Sequence, residues 1–102
     1  MLFPPWATLL APPRRIIKSM FNVYAIESLA IKRIYIGHTK DIDERLKYHN
    51  SGYVKSTAQD RPWKVVALEK VEKNEDARWL ERSLKKSKGK RIKWIDKNRI
   101  KT

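Results

Sequence analysis

Only four residues, Leu29-Ala30-Ile31-Lys32, separate two runs rich in β-branched and aromatic side chains, FNVYAIES at 21–28 and RIYIG at 33–37. Such side chains pack well on a pleated surface, so both runs read as strands. Parallel pairing needs a crossover of about a dozen residues or more, so this short connection confines the pair to an antiparallel hairpin. Gly37 closes the second run. Everything downstream must pack on that hairpin.

The next segments supply the packing elements. Asp41 offers an N-cap with Glu44 three residues on, in the manner of a capping box. Ile42, Leu46 and His49 share a helical face with Arg45 at its border, and Asn50-Ser51-Gly52 is a stop signal. Residues 51–62 read as a loop closed by Pro62, and WKVVALEKV at 63–71 as a third strand. Asn74 is the expected cap of a second helix, with Glu75 and Asp76 in the turn where the helix dipole favours acids. Ala77, Leu80, Glu81 and Leu84 form one stripe on it. After Gly89 a last helix is expected over about 91–99, carrying Ile92 and Ile95. The order β-β-α-β-α-α gives an α/β class: a small three-stranded antiparallel sheet flanked by helices.

The first 19 residues follow other rules. They hold four of the five prolines and no acid. Paired prolines block both a long helix and a central strand. A secretory signal carries its positive charge before the apolar stretch, whereas Arg14, Arg15 and Lys18 come after it. The expectation is a disordered extension or a start placed upstream of the true one at Met20; the competing reading is a short basic anchor. The domain is then expected over 20–102, in the cytoplasm.

Composition narrows the chemistry. With no Cys, disulfides, thiolate metal sites and a Cys nucleophile are excluded, and two His cannot build a His-only zinc site. Any metal must lean on carboxylates. The 102 residues carry 24 Lys and Arg against 11 Asp and Glu, a net +13, which calls for a polyanionic partner. The charge is uneven: residues 81–102 hold ten bases and two acids, whereas 20–80 hold eleven and nine. Lys85, Lys86, Lys88, Lys90 and Arg91 are therefore the expected nucleic-acid contacts, interleaved with Trp79 and Trp94; the bland alternative is a solvated basic surface. A membrane is not expected as partner, because the basic helices lack a broad apolar outer face.

Several polar residues break the binary pattern. Arg45 and His49 are helical neighbours on the side that should face the sheet, as a phosphate-binding pair or as a rim Arg and a capping His. Glu81 interrupts an apolar stripe and must pair with a cation or bind metal; an i,i+4 pair with Lys85 is the simpler reading. Tyr24 and Tyr35 lie on adjacent strands as phosphate contacts, a water holder, a base, or plain core aromatics.

These signals stand in a familiar order. NVY at 22–24, ten residues, then YIG at 35–37 resembles the two-part signature of the GIY-YIG nuclease family. GHTKDIDERLKYHN at 37–50, KSTAQDRPWKVV at 55–66 and the run Ala77, Glu81, Lys85 resemble its small stand-alone members and the nuclease domain of excinuclease C. One departure is plain: Asn22 stands where the family's first Gly would be, and Val23 where Ile would be.

The resemblance implies an endonuclease that hydrolyses DNA phosphodiesters with a single Mg²⁺ or Mn²⁺, in repair or recombination, with no small-molecule cofactor. It implies that Glu81 holds the metal and that Tyr24 is the general base, with His49 accepting or orienting its proton. It further implies that Tyr35 supports the phosphate or water, and that Arg45 neutralises transition-state charge. The alternative on the same fold is a nucleic-acid-binding module without turnover.

Overall fold

The computed structural model describes residues 20–100. Seven elements follow in order: β1 (Phe21–Ser28), β2 (Ile34–Thr39), α1 (Ile42–Ser51), α2 (Lys55–Ala58), β3 (Trp63–Val71), α3 (Asn74–Lys86) and α4 (Lys88–Asn98). β1 is the centre of the sheet and pairs antiparallel with both neighbours, in the order β2-β1-β3. A central strand covered on both faces needs a nearly continuous apolar run, and Asn22 through Ile26 are all buried. The α/β class and the three-stranded antiparallel sheet with flanking helices are as expected from the sequence.

Strand alternation divides the chain between two cores. Val23, Ala25 and Ile36 pack with Val66, Ala67, Ala77, Leu84, Trp94 and Ile95, on the face covered by α3 and α4. Tyr24, Ile26 and Trp63 pack with Tyr35, Ile42 and Leu46, on the face covered by α1. Tyr24 stands opposite Gly37, and Tyr35 opposite Ile26, so both tyrosines point to the α1 side. His38 is paired with Val23 and points to the α3 side. Because β2 is an edge strand, groups from the two faces can meet around it.

Local chemistry sets the joints. The buried Ser28 hydroxyl donates to Asp60 O at 2.6 Å and accepts from Ala30 N and Ile31 N, both at 3.1 Å. It thereby ties the hairpin turn to the loop before β3. Asp41 caps α1 by accepting from Glu44 N at 3.0 Å, as expected, and Gly52 ends the helix at φ 92°. Asn50 then clamps the end of α1 to β3, accepting from Trp63 N at 2.7 Å and donating to Trp63 O at 3.1 Å.

Some boundaries differ from the sequence reading. β2 runs past Gly37 to Thr39, since a glycine without a turn requirement does not stop a strand held by pairing. The stretch read as a loop contains the single turn α2, too short to leave a periodic trace. Lys73, not Asn74, is the cap of α3, without a side-chain bond, and Asn74 is already helical. α4 begins before Gly89, because the Ser87 hydroxyl accepts from Lys90 N at 3.2 Å and starts the helix there. Trp94 is not a surface aromatic: it is buried and donates from Nε1 to Glu69 Oε1 at 2.6 Å. Trp79 is 63% exposed, and Ile92 also lies outside the core. Among the described residues no helix is long and apolar enough to cross a membrane. The expectations for residues 1–19 lie outside the described residues.

Candidate functional site

A chain of polar contacts runs through the α1 side of the sheet. The Tyr24 hydroxyl lies 3.0 Å from His49 Nε2, and His49 Nδ1 lies 3.0 Å from Thr57 Oγ1. All three residues are at most 2% exposed. Thr57 Oγ1 donates to Val54 O at 3.2 Å, so its lone pair is left for the Nδ1–H of His49. Nε2 is then the acceptor of the Tyr24 proton. Thr57 comes from α2, the turn hidden within the apparent loop, and Trp63 pins that turn by donating from Nε1 to Thr57 O at 2.8 Å.

Gly37 makes room for this arrangement. A Cβ at position 37 would stand 2.5 Å from the Tyr24 hydroxyl and 2.7 Å from its Cζ, closer than real contacts allow. The phenol thus crosses β2 where that strand has no side chain. Gly37→Ala is expected to push the ring aside and break the bond to His49. Overpacking of this kind costs about 1–3 kcal/mol. A melting curve checks this cost.

The other residues that the sequence singles out surround this chain. Tyr35 packs edge-on against His49, with ring centroids 5.0 Å apart. Arg45, half-buried on α1, holds its guanidinium 5.7 Å from the ring of Tyr48, which stacks on Tyr53. Burial pushes the Tyr24 hydroxyl above the ordinary phenol range; Tyr35 adds to the rise, the Arg45 charge opposes it, and Glu81 raises it further. Burial, then the Arg45 charge, lowers the pKa of His49, so the ring is neutral and free to accept.

Glu81 stands on α3. Its Oε1 meets His38 Nδ1, and its Oε2 meets Lys85 Nζ at 2.7 Å. Lys85 also lies 5.5 Å from the Tyr35 ring centre, which joins the carboxylate to the tyrosine side. Burial alone would raise the Glu81 pKa, but hydrogen bonds from Lys85 and His38 and their charges outweigh it and the net shift is downward. The carboxylate is ionised at neutral pH. It opens on a cavity of about 430 Å³ lined with His38, Arg78, Arg82, Lys85 and Lys86. Of the described residues, Glu81 is the one carboxylate lining this cavity and both of its oxygens are held, so Mg²⁺ or Mn²⁺, which keep several of their waters, would have to displace His38 or Lys85 to bind it. Among the described residues no group of three or more His, Asp or Glu forms a fuller cage.

The basic residues divide. Lys85 and Lys86 line the Glu81 cavity, as do Arg78 and Arg82, which are not among the nucleic-acid contacts expected from the sequence, although Arg82 belongs to the basic cluster of 81–102. Their signal is the helical spacing 78, 82, 85, 86 beside Glu81. Lys88 and Arg91 line a neighbouring cavity with Ile34, Tyr35 and Ile36. Arg91 also donates to Leu84 O at 3.0 Å, closing the end of α3. Lys90 is exposed on α4. His38 is passed over as well; as a lone polar residue late in a strand it carries no pattern of its own.

In the motif's first position Asn22 is buried. Its Nδ2 donates to Lys40 O at 3.3 Å, which ties the start of β1 to the entry of α1. Its Oδ1 has no partner among the described residues.

A family model described as the GIY-YIG catalytic domain matches residues 20–95. No curated protein and no solved structure gives a match.

Proposed function

Because the chain belongs to the GIY-YIG catalytic domain family, whose activity is of the nuclease type, we propose that it is a divalent-metal-dependent endonuclease cutting phosphodiester bonds in DNA, in repair or recombination. The observation that carries this reading is the hydrogen-bonded run Tyr24–His49–Thr57, with Tyr35 packed on His49 and lying 5.5 Å from Lys85, the cation paired with Glu81.

Phosphodiester hydrolysis needs an in-line nucleophile, relief of its proton, and cancellation of charge on the phosphate. Tyr24 takes a proton from the attacking water as it passes its own to His49 Nε2. This relay avoids a free phenolate, which burial disfavours. Thr57 holds the His49 ring in the tautomer that can accept. Arg45 presents a planar fork to the phosphate oxygens, with Tyr48 and Tyr53 steadying it from behind. Tyr35 orients the phosphate or the water. Glu81 would hold the Mg²⁺ or Mn²⁺, which when bound supplies Lewis-acid polarisation of the phosphate. Arg78, Arg82, Lys85 and Lys86 grip the flanking backbone.

The relay sets the pH dependence. Cleavage requires neutral His49, and its pKa lies below the ordinary value of about 6.5. The acid limb of the rate profile is therefore expected below pH 6.5. Stability follows the same sign: the unfolded chain takes up the proton first, so the contribution of His49 is full above pH 6.5 and is lost as pH falls through its lowered pKa. A single-turnover profile, with melting at each pH, checks both.

Binding is expected to depend on α3. Replacing Arg78, Arg82 and Lys86 by Gln is expected to flatten the plot of log K against log salt by about 0.9 for each duplex-DNA phosphate that is no longer neutralised. An unchanged slope would move the footprint elsewhere.

The test of the function is incubation with plasmid, branched DNA and RNA, each with Mg²⁺, Mn²⁺ or EDTA. The reading expects metal-dependent cutting of DNA. One observation favours a binding module without turnover instead: both Glu81 oxygens are already held, by His38 and Lys85. Tight binding with no cleavage of any substrate under either metal would select that second reading.

A further inference from the structure

We propose that Tyr48 and Tyr53 form a stacking platform for an unpaired nucleobase, so that the preferred substrate carries an extruded or single-stranded nucleotide beside the phosphate that Arg45 binds. The inference rests on the nuclease reading above for the nucleic acid and for the role of Arg45, but not for the pairing state of the substrate.

Three observations carry it. First, the two rings stack, with centroids 5.5 Å apart and planes 23° from parallel, yet Tyr53 is 77% exposed and Tyr48 49%. Tyr48 covers one face of Tyr53 at most, so the other face is open. A ring left in water adds little to the core, whereas an open π face takes a base of any sequence. Second, local bonds hold the platform in place. The Ser51 hydroxyl donates to Tyr48 O at 2.6 Å and accepts from Tyr53 N at 3.3 Å. Gly52 stands between them at φ 92°, a left-handed turn that brings residue 53 back onto residue 48. Third, the platform continues the face that carries Arg45, whose guanidinium lies 5.7 Å from the Tyr48 ring centre.

The charge pattern decides which part of a nucleotide meets this face. Asp41, Glu44, Arg45 and Tyr48 follow helical spacing and, with Thr39, line a cavity of about 440 Å³. The two carboxylates repel a second phosphate, so the backbone is not drawn along α1 past Arg45. The neighbouring phosphates are better met on α3, where Arg78, Arg82, Lys85 and Lys86 gather. The base of the nucleotide held at Arg45 is then left on the α1 side, with the two tyrosines to receive it. A base inside a duplex has both faces covered by its neighbours and its edge by its partner. Only a base out of the stack can lay a face on Tyr53.

The competing role for the two tyrosines is purely positional: they steady Arg45 and never touch a base. That role weakens binding to every DNA alike, so the deciding readout is a ratio of affinities. The full chain is titrated in EDTA with three DNAs of one sequence: a paired duplex, the duplex with one extra unpaired nucleotide at its centre, and that same DNA with the extra nucleotide abasic. The last two carry the same phosphates and the same bend, so their difference isolates the base. The wild type is expected to bind the base-bearing DNA about fivefold or more tightly than the abasic one, and more tightly than the paired duplex. Tyr53→Leu keeps an apolar side chain but no ring and is expected to erase the ratio, whereas Tyr53→Trp keeps it. Equal wild-type affinity for the base-bearing and abasic DNAs would overturn the proposal while leaving the nuclease reading in place. A Tyr53→Leu ratio equal to that of the wild type would do the same, as would equal losses on all three DNAs. A wild type that binds none of them would overturn it too, and the cleavage panel then judges the nuclease reading separately. Tyr53 lies outside both cores, and a melting curve beside each titration verifies the fold.

Discussion

Tyr24→Phe is expected to lower the cleavage rate by about 10²–10⁴-fold, the usual worth of a positioned acid–base group. The substitution removes one oxygen and leaves the ring in the α1-side core with Ile26 and Trp63. It also leaves His49 Nε2 buried without its 3.0 Å partner. An orphaned buried acceptor costs about 1–3 kcal/mol. For a domain of this size, 1 kcal/mol lowers Tm by about 4–8 °C. The variant is therefore expected to be folded, measurably less stable and nearly inactive, with DNA affinity in EDTA unchanged. Single-turnover rates, melting and a binding titration separate the three effects. A Tyr24→Phe enzyme within a few-fold of wild type would remove the relay from the mechanism.

Glu81→Gln is expected to abolish cleavage, by more than about a hundredfold. Removing an outer partner of a metal ligand already costs about 10–100-fold in affinity or activity, and the ligand itself costs more. The amide keeps the size and one acceptor but loses the charge that a hard cation needs. It also frees Lys85 and His38 from their ion-pair partner. Binding to DNA without metal is then expected to hold or tighten slightly, since one repulsive charge has gone and Lys85 is released. If Glu81 were only a helix-pair partner of Lys85, the change would cost about 0.3–0.5 kcal/mol and spare activity.

Much of the fold can be read because local signals and tertiary packing agree. The four-residue connection forces the hairpin, and the Asp41 cap and Gly52 stop bound α1 in both sequence and structure. Where two local signals compete, the sequence reading misplaces the boundary. Gly89 looks like a break, but the Ser87 hydroxyl starts α4 ahead of it. Asn74 looks like the cap, but α3 takes it as its first residue.

The site is partly legible for a different reason. Spacing within α1 puts Arg45 beside His49, and the interrupted stripe singles out Glu81. No local rule, however, brings Tyr24 to His49 across 25 residues of chain; the resemblance to the family supplies that link. Thr57 is invisible because a single helical turn has no period. His38 is invisible because its meaning lies in Glu81, 43 residues away around the edge of the sheet. Arg78 and Arg82 are overshadowed by the denser charge after residue 84, although they share the Glu81 cavity.

The most direct measurement is the nicking of supercoiled plasmid by wild-type and Glu81→Gln protein, each with Mg²⁺ and with EDTA, at matched DNA occupancy. Metal-dependent nicking by the wild type alone is the predicted result. Nicking by Glu81→Gln at the wild-type rate, or by the wild type in EDTA, would contradict a nuclease built on this carboxylate.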